Sequence, residues 1–280
     1  MTAKFRTDLA AEMRERIGSG ELPGVSAGEW SERGFDITRV DILDERGAAK
    51  LCKPIGSYIT LSSRALAERR PEAFGDGAET LAGLIRGLLP EPGGLILAAG
   101  LGNAAMTPDA VGPLALEYVL ATRHLKTAMP EAVAGLSPVC CIRPGVLGST
   151  GIESAELIKS ACERVRPAQV IAVDALAAAS LDRLCSTVQL SDAGIVPGSG
   201  VGNDRASISR ETLGVPVLAL GVPTVVDASA FCEDEAAKGM FVTPRDIDAS
   251  VRSLAKLIGY AVNLALHEGL SVADIDMLKG

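Results

Sequence analysis

The sequence has no basic stripe. Its longest run of Lys and Arg is Arg69-Arg70, and 35 Asp and Glu against 27 Lys and Arg leave a net charge of −8. Phosphate backbones and anionic membranes repel such a chain, so no direct nucleic-acid or membrane partner is expected. No apolar run approaches the ~20 residues of a membrane helix. The most apolar stretches, residues 94–102 and 215–226, are short and broken by Gly or Pro. The N-terminus, MTAKFRTDLAAEMRER, lacks the apolar segment of a secretory signal, and a cytoplasmic protein is expected. Six cysteines (52, 140, 141, 162, 185 and 232) include no CxxC pair and read as buried apolar side chains. Only two histidines, His124 and His267, are available as partners for a catalytic thiol or as zinc ligands. Thirty glycines follow no G-x-y period, which excludes collagen and implies many tight turns. No repeat and no linker is visible, so one domain is expected.

What is present is a core. The chain of 280 residues is 48% hydrophobic, which excludes disorder. Residues 35–43 (FDITRVDIL) alternate as a half-buried strand, and 57–62 suggest another. From residue 94 the grammar changes to short continuous apolar runs that end in Gly or Asp. Residues 94–99, 138–142, 170–173, 188–190 and 215–220 read as buried strands. Helical spacing separates them at 114–124 and 152–165, and an amphipathic helix spans 246–267. At the N-terminus Asp8 reads as an N-cap for a helix over 9–17. This alternation predicts a single α/β domain: a mixed, mostly parallel central sheet with helices on both faces. Ligands of such sheets sit beyond the carboxyl ends of the strands, so residues following 99, 173 and 220 are where chemistry is expected.

Four motifs fall there. Gly100-Leu101-Gly102-Asn103 follows the first buried strand and precedes Thr107-Pro108-Asp109. The glycines could cradle a phosphate, but the third Gly of a dinucleotide fingerprint is missing. Asp109 reads either as a first-turn acid or as a catalytic one. Asp174, in VDALAA, is an acid at the end of a buried strand, costly there unless paired, hydrogen-bonded or protonated. If their strands are neighbours, Asp109 and Asp174 face each other. They would then split into an acid and a base around a water, or hold a divalent cation. The loop Pro197-Gly198-Ser199-Gly200-Val201-Gly202-Asn203 is too rich in Gly to form a regular element and could present backbone N–H groups to a substrate. Asp227, after Gly221-Val222-Pro223-Thr224, is a third acid with an N-cap as its alternative role. His124 reads as a helix-end cation or a substrate contact, and His267 as structural.

These residues carry a resemblance. RTDLA (6–10), GLGN (100–103), TPDAVGP (107–113) and ATRHL (121–125) follow in order. PGVLGSTGIES (144–154), VDALAA (173–178) and PGSGVGNDR (197–205) come next, then ETLGVPVLALGVPTVVDA (211–228) and NLALHE (263–268). Together they resemble the germination protease (spore protease) family over nearly the whole chain. The resemblance implies a fold like that of the hydrogenase maturation peptidases. It implies an atypical aspartic endopeptidase, without a required cofactor, that degrades small acid-soluble spore proteins. Its acids fall on Asp109 and Asp174; acids in comparable places of the maturation peptidases bind metal, so a metal-assisted variant remains open. The site loops are then Gly102, Asn103, His124, Gly198, Ser199 and Gly200. The family is made as a zymogen and assembles as a homotetramer, which places this chain in the cytoplasm of the forespore. Its cleavage sites carry an acid, a large apolar residue and Ala. Thr7-Asp8-Leu9-Ala10 fits, which implies self-cleavage between Asp8 and Leu9, a propeptide of residues 1–8 and a peptidase domain of 9–280. A long insertion expected after Ala228 is missing. A non-catalytic module that binds a phosphate or peptide is the remaining alternative.

Overall fold

The computed structural model describes residues 6–18, 20–89, 93–203, 205–232, 237 and 239–279. Among these residues nine strands form one sheet: β1 Val25–Glu32, β2 Phe35–Ile42, β3 Gly56–Ser62, β4 Ile96–Leu101, β5 Val139–Gly145, β6 Gln169–Ala178, β7 Thr187–Ser191, β8 Val217–Asp227 and β9 Phe241–Val242. Their spatial order is β1-β2-β3-β7-β8-β6-β4-β5, with β9 on the end of β8. Strands β5, β4, β6 and β8 run parallel. Strands β7, β3, β2 and β1 extend this unit antiparallel. The expected single α/β domain with a mixed sheet is thus observed.

The two halves follow from their sequences. β4 (ILAAGL) is apolar throughout and β8 (VLALGVPTVVD) apolar but for Thr224 and Asp227, and both lie between helical layers on both faces. Ala98, Ile171, Val173, Leu218 and Leu220 pack under the helices Ala73–Leu88, Val111–Tyr118 and Ile247–Leu266. Leu97, Ala99, Leu101, Val170 and Ala172 face the helix Ser154–Val165. β2 alternates with a change of phase: Phe35 and Ile37 are buried on one face and Val40 and Ile42 on the other, in separate clusters. No helix among the described residues is long and apolar enough to cross a membrane.

Several expectations change. Of the six cysteines only Cys162 and Cys185 are buried, and Cys52 and Cys141 are exposed. The strand expected to end at Val173 continues to Ala178, because β8 runs alongside it to Val226. Asp174 is therefore mid-strand, although β4 stops pairing one residue earlier, at Gly100 against Val173. The helix expected over 114–124 spans Val111–Tyr118. Asn263, fully buried, ends it by donating to the Tyr118 carbonyl (2.7 Å) and accepting from the Leu120 N–H (2.9 Å). The N-terminal helix spans Ala10–Ile17 with Leu9, not Asp8, at its N-cap. The Asp8 carboxylate is drawn elsewhere.

Candidate active site

Close backbone packing brings the first acid into place. Gly112 opens the helix Val111–Tyr118, and a Cβ there would lie 2.3 Å from the carbonyl oxygens of Leu101 and Val173. Only glycine lets the helix start directly on the end of β4 and the middle of β6. The preceding turn, Thr107–Asp109, is fastened on both sides. Thr224 Oγ1 of β8 donates to the Pro108 carbonyl (2.6 Å), and Thr107 Oγ1 donates to the Asp248 carboxylate (2.7 Å). The Asp109 carboxylate accepts the Asn103 N–H (2.8 Å). Gly102, at φ +105°, passes so close that a Cβ would meet the Asp109 carbonyl at 2.0 Å.

Asp174 comes from the neighbouring strand and is 4% exposed. Burial, then the charge of Asp109, then that of Asp8 push its pKa well above the carboxylate range, against the Ala175 N–H. Asp109 is raised by burial and held back by the Asn103 N–H. The acid with the deeper seat and the like-charged neighbour keeps its proton, and the one with a backbone donor ionises more readily. Among the described residues no group of three His, Cys, Asp or Glu side chains is placed to hold a metal.

Both acids line a cleft of about 670 Å³ with Gly102, Asn103, Gly198 and Gly200. Ser199 lies in an adjoining cleft of about 520 Å³ with Lys53 and Gln189, and Asp8 and Leu176 border both. The Gly-rich loop expected beside the site is therefore there. His124 is not: it is exposed, and the adjacent Arg123 N–H bonds the carbonyl of Val139, the first residue of β5. That is the amino end of the parallel strands, away from the acids. Asp227 takes its N-cap role, accepting from the N–H and hydroxyl of Ser229.

The N-terminal segment lies across this site. The Asp8 carboxylate accepts the Ser199 hydroxyl (2.6 Å) and the Ala177 N–H (2.8 Å), and the Asp8 N–H donates to the Ala177 carbonyl (2.9 Å). Gln189 donates to the Asp8 carbonyl (2.9 Å) and accepts the Ala10 N–H (2.8 Å). The Leu9 N–H bonds Thr7 Oγ1 (3.0 Å). Leu9 is fully buried among Leu176, Ala178 and Val226. Glu12 accepts the N–H groups of Ala179 (2.8 Å) and Ser180 (2.9 Å). Thr224 and Gln189 were not anticipated from sequence. Thr224 sits in a hydrophobic strand run, and Gln189 is a polar residue at 7% exposure in β7, a sign visible only once its strand is known to be central.

A family model described as germination protease matches residues 6–237. A germination protease of Caldanaerobacter subterraneus subsp. tengcongensis is 40% identical, with 98% of each chain covered. One from Clostridium tetani is 36% identical, over 97% of this chain and 98% of its own. One from Bacillus mycoides is 45% identical over 82% of this chain and 65% of its own. The first alignment runs over 316 residues against 280 here, so that relative carries residues this chain lacks.

Proposed function

This chain belongs to the germination protease family, and from that premise we propose that it is an endopeptidase that activates water between Asp109 and Asp174. The observation that supports this reading is the pair itself: Asp109 on the turn that follows β4 and Asp174 on the neighbouring strand β6, the latter nearly sealed from water and pushed towards its protonated form by burial and then by the charge of Asp109. Ionised Asp109 takes a proton from water as the oxygen attacks the scissile carbonyl. Protonated Asp174 donates a hydrogen bond to the carbonyl oxygen as charge builds there. Asp109 then returns its proton to the departing amine, and the C–N bond breaks. No cofactor enters this sequence of steps.

The substrates proposed are small acid-soluble spore proteins, met in the forespore cytoplasm by a homotetramer. The chain is made as a zymogen that removes residues 1–8 by cutting between Asp8 and Leu9. The place of Asp8 in the cleft of the acid pair, with Leu9 packed on Leu176 of β6, supports this.

Intact-mass spectrometry after mild acidification and dehydration tests the proposal on the wild type, Asp109→Asn and Asp174→Asn. Loss of residues 1–8 in the wild type, slowed at least about a hundredfold in either variant, is expected. Equal rates in all three would remove the acid pair from the reaction.

A further inference from the structure

We infer that the free edge of β6 beyond Asp174, together with Ser199 and Gln189, is the subsite that selects an acidic residue immediately before the cleaved bond. Residues 6–12 are its occupant in this state. The inference rests on the endopeptidase reading above and deepens it, because it assigns the residues that choose where the chain is cut.

Past Val173, β6 has lost β4 as a neighbour on one side. The Ala177 N–H and carbonyl on that edge are taken by Asp8, one through its carboxylate and one through its backbone N–H. This is strand-edge recognition of a peptide, in which backbone bonds give affinity and side-chain seats give specificity. The seat suits a carboxylate: both of its partners offer a proton, the Ala177 amide and the Ser199 hydroxyl. An amide in its place would present one oxygen and turn its NH₂ towards a donor. Lys53 lines the same cleft and adds positive charge. Space is reserved as well: a Cβ on Gly200 would lie 2.1 Å from Asp8 Oδ2 and 2.6 Å from the Ala177 Cβ.

The next residue fixes the register. Leu9 packs on Leu176, two residues along β6 from Asp174 and on the same face, which is about 7 Å along the strand. The peptide bond between Asp8 and Leu9 thus lies between a carboxylate seat and an apolar seat, beside the acids. Its carbonyl is held by Gln189 and its N–H by Thr7. Among the described residues neither group is hydrogen-bonded to Asp109 or Asp174, so cleavage requires the carbonyl to exchange Gln189 for the acid pair.

A double-mutant cycle on the full-length chain tests this with two readouts. The chains are wild type, Asp8→Asn, Ser199→Ala and the double variant, with Gly200→Ala beside them. The readouts are amide hydrogen exchange over residues 6–12 and 176–180, and release of residues 1–8 by intact mass. Each single variant and Gly200→Ala should speed exchange in both segments about tenfold and slow release about tenfold, with the helix Ile247–Leu266 unchanged. Ser199→Ala should add little in the Asp8→Asn background, since the one amide oxygen left there no longer satisfies both donors. Additive effects in either readout, or unchanged exchange in Gly200→Ala, would overturn the subsite. Coupled exchange with no release by any chain would reduce the seat to a docking contact and overturn its selecting role. An Asp174→Asn chain that still releases the segment, with the cycle coupled, would instead sink the acid-pair reading and leave the subsite standing.

Discussion

Asp174 towards the carboxyl end of the parallel strands and His267 at their amino end are both buried, and the two behave as mirror images. At the carboxyl end, burial raises Asp174 well above the carboxylate range. At the amino end, burial lowers His267 to about 4, with the Leu120 backbone opposing. The cause is the same: loss of water penalises the charged form of either. What differs is the company. His267 is fully buried and accepts the Ser137 N–H at Nδ1 (3.2 Å). Asp174 faces a second acid and borders a cleft. Burial alone makes a group neutral, whereas a second charge and an access path make it useful. Cleft size does not locate chemistry either. The amino end has the larger cavity, about 910 Å³, lined by Arg86, Gln169 and Glu268, and it holds no such acid pair.

The comparison can be broken with pH, and His267 carries the largest effect on stability. Its folded pKa is below its unfolded value. The stability it contributes is therefore full above about pH 6.5 and lost as pH falls towards 4. Urea denaturation of wild type and His267→Asn at pH 7 and pH 4 should show the wild type losing about 3 kcal/mol more than the variant. Asn offers Ser137 an acceptor and does not protonate. Equal losses would mean that His267 already sits among groups that accommodate its charge.

Asp174 gives the opposite sign. Its folded pKa is raised, so its contribution is full below the ordinary carboxylate range and is lost as pH rises through the folded value. Asp174→Asn removes that loss. The variant should be more stable than the wild type by about 1–2 kcal/mol at pH 8, with the gap closing towards pH 4. A gap independent of pH would show that packing, not the proton, is what changed.

Much of this carboxyl end was readable from sequence because its signals are local. Continuous apolar runs ending in Gly or Asp mark β4, β6 and β8, and the acids after them follow from strand grammar. What was not readable depends on distant partners. The end of the helix Val111–Tyr118 is set by Asn263, so His124 was placed on a helix that had already stopped, and it stands at the wrong end of the sheet. Asp8 resembles an N-cap in its own neighbourhood, but Ser199 and Ala177 compete successfully for its carboxylate. The length of β6 is decided by β8 beside it, which no run of residues within β6 reveals.

The smallest expected effect on stability probes how the site end is held. Thr224 is 1% exposed, and its hydroxyl donates to the Pro108 carbonyl at 2.6 Å, one residue before Asp109. Thr224→Val keeps the shape of the side chain and removes the donor. Loss of one such bond costs about 1 kcal/mol, which chemical denaturation resolves. The functional cost should be proportionally larger. A carboxylate displaced by a fraction of an ångström is poorly aligned with its water, while the fold barely registers the change. Release of residues 1–8 should therefore slow several-fold more than the stability change accounts for. If stability falls and release does not, the bond from Thr107 to Asp248 and the Asn103 N–H suffice to place Asp109. The strand β8 would then support the site without aiming it.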